Sequence, residues 1–167
     1  DAAYPADALR MVRERKGRLS APMKPIRWEG AWTIRAPRDE VYRWVTDFER
    51  WAELMPGIVK SARVISRTET AVVLEGEFNL LGRKGRGVMN IRLRPPAGYD
   101  ADNVSEKLGE EKEAIRLEEI PEGTLYKWAV DAMPKGIHVR LPGKFAGYFV
   151  RRFYERTIIK PLRGALE

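Results

Sequence analysis

Cysteine is absent from the 167 residues, histidine occurs once, and charged residues interrupt every apolar stretch well short of the roughly 18 residues that a membrane-spanning helix requires. The missing cysteine excludes disulfides, a thiolate nucleophile and a thiolate metal site, and with them the disulfide-stapled secreted class, so cytoplasm is the expected compartment. A single histidine, His138, has no His-x-x-x-His partner and cannot build a conventional zinc site. No Gly-x-Ser-x-Gly elbow and no dinucleotide fingerprint is present. The run Gly82-Arg83-Lys84-Gly85-Arg86-Gly87 lacks the Gly-Lys-Ser/Thr ending and a following helix, so it reads as a hairpin turn rather than a phosphate loop. Hydrolase, dehydrogenase and metal-dependent chemistry fall away, and no cofactor is expected.

What the chain does have is positive charge. Lysine and arginine total 31 against 24 acidic residues, a net charge of +7, with a pI near 9.8. Anionic partners such as phospholipid headgroups or RNA fit that balance. Arginine outnumbers lysine by 21 to 10, which equally suits surface ion-pair networks of the kind found in heat-adapted proteins. The length fits one domain with a substantial core. Residues 1–25, rich in Ala, Pro and Arg and with only a weak helical pattern, read as a basic extension outside it, leaving residues 26–167 as the folded unit.

Apolar periodicity divides that unit clearly. Trp28, Gly30, Trp32 and Ile34 alternate as one face of a strand. Pro37 suits a first helical turn, and Val41, Trp44 and Val45 form an apolar stripe. Asp47 reads as a second N-cap, opening a short helix that turns Trp51, Leu54 and Met55 inward before Pro56-Gly57 ends it. Alternation returns over Val59 to Thr68, Thr70 to Leu80 and Lys84 to Arg94, where Pro95-Pro96-Ala97-Gly98 makes a turn. Three further strands are expected over Tyr99 to Leu108, Lys112 to Ile120 and Thr124 to Met133, with turns at Gly109-Glu110-Glu111 and Pro121-Glu122-Gly123. Such short connections imply antiparallel neighbours. A last helix from about Lys144 places Ala146, Phe149, Val150, Phe153, Tyr154, Thr157, Ile158 and Pro161 on one face and Arg151, Arg152, Glu155, Arg156 and Arg163 on the other, with a kink or fraying at Pro161. The fold class is therefore α+β: a seven-stranded curved antiparallel sheet wrapped around a long C-terminal helix, with two short helices after the first strand.

The segments Ala36-Pro37, Glu40-Val41-Tyr42, Val45, Asp47, Trp51 and Met55-Pro56-Gly57, with Leu141-Pro142-Gly143 leading into a helix that ends Pro-Leu-Arg-Gly-Ala-Leu-Glu, resemble the START-like, or SRPBCC, superfamily. Polyketide cyclase-like and lipid-transport-like proteins belong to it, as do plant pathogenesis-related allergens. The resemblance spans roughly residues 26 to 166 and implies a helix-grip fold with an apolar cavity for lipids, polyketides or other hydrophobic molecules. On that reading Trp51, Met55, Phe78, Met89, Ile91, Ile115, Leu117, Phe149 and Phe153 supply the wall, and Tyr126, Trp128, His138 and Glu106 the polar groups. An ordinary packed core explains any one of the apolar residues as well.

Glu106, between Val104 and Leu108, and Glu113, ahead of Ile115 and Leu117, can each turn a carboxylate inward, where desolvation would raise its pKa. Positions beside strand ends equally suit solvent or an arginine partner. Glu75 and Glu77 alternate with Leu74, Gly76 and Phe78 and face outward.

Three functions remain. The first is a carrier of a hydrophobic small molecule, lipid, polyketide or isoprenoid-like, acting as a monomer or weak homodimer. The second is an aromatase/cyclase-type enzyme with no assigned catalytic residue, and the third is a basic module binding RNA, ribosome or anionic membrane through Arg151, Arg152, Arg156 and Arg163.

Overall fold

In the computed structural model, residues 25–80, 82–134 and 143–167 are described. The elements follow in the order β1 (Ile26–Ile34), α1 (Arg38–Val45), a 3-10 turn (Phe48–Arg50), α2 (Trp51–Leu54), β2 (Val59–Arg67), β3 (Ala71–Leu80), β4 (Arg83–Arg94), β5 (Gly98–Ser105), β6 (Gly109–Ile120), β7 (Gly123–Pro134), α3 (Gly143–Tyr154), a π turn (Glu155–Ile159) and α4 (Lys160–Leu166). The seven strands form one antiparallel sheet in the order β1-β7-β6-β5-β4-β3-β2. Six of its strands are a simple meander. β1 crosses to pair with β7, which puts the first and last strands side by side and leaves the helices over one face.

Strand alternation sets that face. Register aligns Val72, Ile91, Ala101, Glu113, Val130 and Trp28 in one row across the sheet. Ile115 faces Tyr99 on one side and Trp128 on the other. These inward side chains and the helix residues Tyr154, Ile158, Ile159 and Leu162 make one buried cluster, held chiefly by apolar burial at about 25 cal/mol per Å². The opposite face carries cross-strand ion pairs, among them Arg63 with Glu75 at 2.7 Å, Arg92 with Asp102 at 2.8 Å and Lys127 with Glu118 at 2.6 Å. Exposed pairs of this kind are each worth about 0–1 kcal/mol.

The short helices behave as their stripes require. Val41, Trp44 and Val45 are buried, and Trp51 donates its indole N–H to the Val45 carbonyl at 3.1 Å, so a large ring enters the core with its polar atom satisfied. Pro37 precedes the helix rather than opening it, and its carbonyl accepts from the amides of Glu40 and Val41. Asp47 makes no side-chain cap; its carboxylate lies 3.5 Å from Arg50.

Two expectations on the later elements are corrected. The β5–β6 turn falls at residues 106–108, three residues before the expected one, and β6 begins at Gly109. Ser105 closes the turn locally: its hydroxyl donates to the Arg86 carbonyl at 2.7 Å and accepts from the Leu108 amide at 3.3 Å, while Gly109 supplies a φ of +103°. Near Pro161 the last helix does not fray but continues to Leu166. It widens into the π turn, with the Lys160 amide donating to the Glu155 carbonyl. Pro161 has no N–H to offer the Thr157 carbonyl, and the Thr157 hydroxyl donates back to the Phe153 carbonyl at 2.8 Å.

Candidate functional site

The inward face of the sheet is mostly apolar; Ser105 and Thr124 are buried there with their hydroxyls bonded to backbone carbonyls, and the carboxylates on it lie on β6. Alternation from Leu117 through Ile115 brings Glu113 onto this face and Glu111 after it. The Glu113 carboxylate accepts the indole N–H of Trp128 at 2.8 Å and the hydroxyl of Tyr99. Glu113 is half-buried, keeping some accessible surface. Burial pushes its pKa up to about 7; the neighbouring Glu111 charge adds to that, and the bonds from Trp128 and Tyr99 oppose it. Glu111 is raised too, by burial, against a bond from the Asn103 amide at 3.4 Å.

Beside the carboxylates, Tyr126 on β7 and Tyr154 on α3 share a hydroxyl–hydroxyl bond of 2.7 Å. Burial raises the pKa of both, and of Tyr99, so all three stay protonated at neutral pH. Tyr154 also stacks on Trp128 at 4.1 Å and on Trp32 at 5.4 Å between centroids, and the Arg151 guanidinium lies 5.6 Å from the Trp32 ring. The helix is thus pinned to β1 and β7 by aromatic stacking and one polar contact.

Most of the residues expected to form the wall are brought together. Phe78, Met89, Ile91, Ile115, Leu117, Tyr126 and Trp128 are buried on the inward face, and Trp51 and Met55 close one end beside Phe48 and Tyr99. Phe153 is half-buried. Phe149 is not part of the wall: it is 54% exposed and packs edge-on against Tyr148 on the outside of α3. Glu106 is corrected as well. The earlier turn takes it out of the strand, and it is exposed at the hairpin tip. His138 lies outside the described residues, as do residues 1–24 of the extension expected over residues 1–25.

Glu111, Tyr99, Asn103 and Tyr154 were missed as site residues, and Glu113 was weighed but left at the rim. The usable signal is strand alternation carried back from Ile115 through Glu113 to Glu111; the turn expected at Gly109-Glu110-Glu111 cuts off only Glu111. Two surface clefts, of about 480 and 450 Å³, lie elsewhere. The larger is a polar recess between the start of α1 and the β6–β7 turn. The other runs along β1, β7 and β6, mostly on outward residues. Neither is lined by Glu113, Tyr126 or Tyr154.

A curved antiparallel sheet gripping a C-terminal helix, with two short helices after the first strand, is the START-like fold. The chain belongs to the polyketide cyclase/dehydrase and lipid transport family, whose model matches residues 25–160. No curated protein matches it significantly. Among solved structures it is similar to the two-domain aromatase/cyclase BexL of the BE-7585A biosynthetic pathway, at 18% identity and a TM-score of 0.70 over 88% of this chain. The chain spans only 52% of that protein. A START superfamily protein from Mycobacterium smegmatis matches at 15% identity and a TM-score of 0.69, over 84% of this chain and 96% of that one. The Zhui aromatase/cyclase from Streptomyces sp. R1128 matches at 15% identity and 0.64, over 83% and 92%. At these identities the likeness is one of fold.

Proposed function

We propose that this protein binds a hydrophobic small molecule between the inward face of the sheet and α3, as a carrier. The observation that carries this reading is the composition of that face: a largely apolar surface with a polar patch around Glu113 whose carboxylate is not consumed by an ion pair among the described residues, the pattern by which small-molecule sites combine apolar affinity with a few orienting groups. Family membership and the lipid-transport part of its description support it. The test is native mass spectrometry of protein purified from its own host, followed by denaturing extraction. A stoichiometric hydrophobic molecule supports the carrier reading; protein that is repeatedly empty, and that also fails to take up a neutral fluorescent lipid probe, overturns it.

One observation favours a second reading, an aromatase/cyclase-type enzyme. Glu113, with a pKa near neutrality and two tyrosine hydroxyls close by, is equipped to take and return a proton. An enzyme would lose turnover in Glu113→Gln while keeping its ligand affinity, whereas a carrier would change only in affinity.

A further inference from the structure

The polar patch consists largely of acceptors. Asn103 faces Glu111 across the β5–β6 ladder, and Glu111 and Glu113 project from the same face of β6. Asn103 is only 7% exposed, and its side-chain carbonyl, leaning over Gly87, has no hydrogen-bond partner. Such an orphaned buried acceptor is costly until a donor reaches it. The cross-strand neighbours are small: Ala101 lies opposite Glu113 and Ala132 opposite Glu111. Among the described residues no cation is paired with Glu111 or Glu113, while ion pairs occupy the outward face, as between Arg27 and Asp131 or Arg92 and Asp102. Among the described residues, this basic protein thus turns two carboxylates inward without a cation beside them.

We propose that the ligand carries a positively charged amine at its polar end, seated against Glu111, Glu113 and the Asn103 side-chain carbonyl. The proposal rests on the hydrophobic-binding reading and deepens it. A carboxylate accepts up to about four hydrogen bonds, so Glu113 has capacity beyond Trp128 and Tyr99. An ammonium brings three donors and a charge; an alcohol brings one donor and none; a carboxylate ligand brings only acceptors and repulsion. The other titratable groups around Glu113, namely Tyr99 on β5, Tyr126 on β7 and Tyr154 on α3, remain neutral, and Arg151 is engaged over Trp32.

Calorimetric titration with decylamine, decanol and decanoate tests this, since the chain is constant and only the head group changes. Decylamine is expected to bind about tenfold or more tightly than either of the others. Because an ammonium favours the ionised carboxylate, its affinity should rise about tenfold between about pH 6 and about pH 8, with proton release that follows buffer ionisation enthalpy. Glu113→Gln and Glu111→Gln, checked for folding by thermal melt, should each lose the amine preference and keep decanol binding. Equal binding of the three, or a preference for decanoate, overturns the amine and leaves the hydrophobic site standing. Binding of none of the three overturns the hydrophobic-site reading and the amine with it.

Discussion

At the scale of single residues the informative group is Glu113. Its pKa in the folded protein is about 7 against 4.5 for an ordinary glutamate, so the native state holds the proton more tightly than the unfolded chain does. Stability is therefore greatest below about pH 4.5 as far as this group is concerned, falls as pH rises to about 7, and stays flat above, a loss on the order of 2–3 kcal/mol. Glu113→Gln keeps an acceptor for Trp128 and has nothing to ionise. Its melting temperature should match the parent near pH 5 and exceed it near pH 8. An identical offset at both pH values would mean that the carboxylate is fully hydrated. Glu113 was visible in the sequence as a residue two before Ile115, but its burial was not, because burial depends on Ala101, Val130 and α3 closing around it.

At the scale of elements, the helix and sheet meet through matched polar atoms as well as rings. Tyr126→Phe leaves the Tyr154 hydroxyl buried and unpaired, at a cost of about 1–2 kcal/mol by urea denaturation. The Tyr126→Phe/Tyr154→Phe double variant should cost little more than either single change, since both polar groups go together. The β4–β5 connection is a second sensitive point. Gly98 has a φ of +118°, and a Cβ there would lie 2.1 Å from the Ile115 carbonyl oxygen, a backbone atom that cannot swing away. Gly98→Ala is expected to destabilise by roughly 2–3 kcal/mol or more. Gly164→Ala in α4, where nothing lies within 4 Å, should be neutral or slightly stabilising. Proline and glycine pointed to the turn after Arg94 from the sequence alone. The β5–β6 turn was misread, because Glu106-Lys107-Leu108 holds no turn glycine and is closed by a hydroxyl whose acceptor, the Arg86 carbonyl, lies in another strand.

At the scale of the whole molecule, closure depends on partners far apart in the chain. Ile26 pairs with Ala132, the Arg163 guanidinium donates to the Thr33 carbonyl at 2.8 Å, and the Arg35 amide donates to the Glu167 carboxylate at 2.9 Å. The last helix and the first strand thus complete the fold jointly, and such long-range pairing is slow to form. A chain ending at residue 142 would leave Trp32, Ile115, Tyr126 and Trp128 uncovered. It is expected to lose near-ultraviolet dichroism and cooperative unfolding while keeping strand content. The described helices include none long and apolar enough to cross a membrane.

The alternation of Trp28 to Ile34 and of Val72 to Phe78, the stripe of α1 and the amphipathic last helix are local patterns, and the sequence by itself determined them, together with the order of elements and so the family. Only the tertiary structure decided which polar groups end up inside. Alternation assigns a side chain to a face but says nothing of what covers that face. The raised pKa of Glu113, the Tyr126–Tyr154 bond and the exposure of Phe149 all follow from how β1, β7 and α3 come together, and desolvation is a property of that enclosure rather than of any residue's neighbours along the chain.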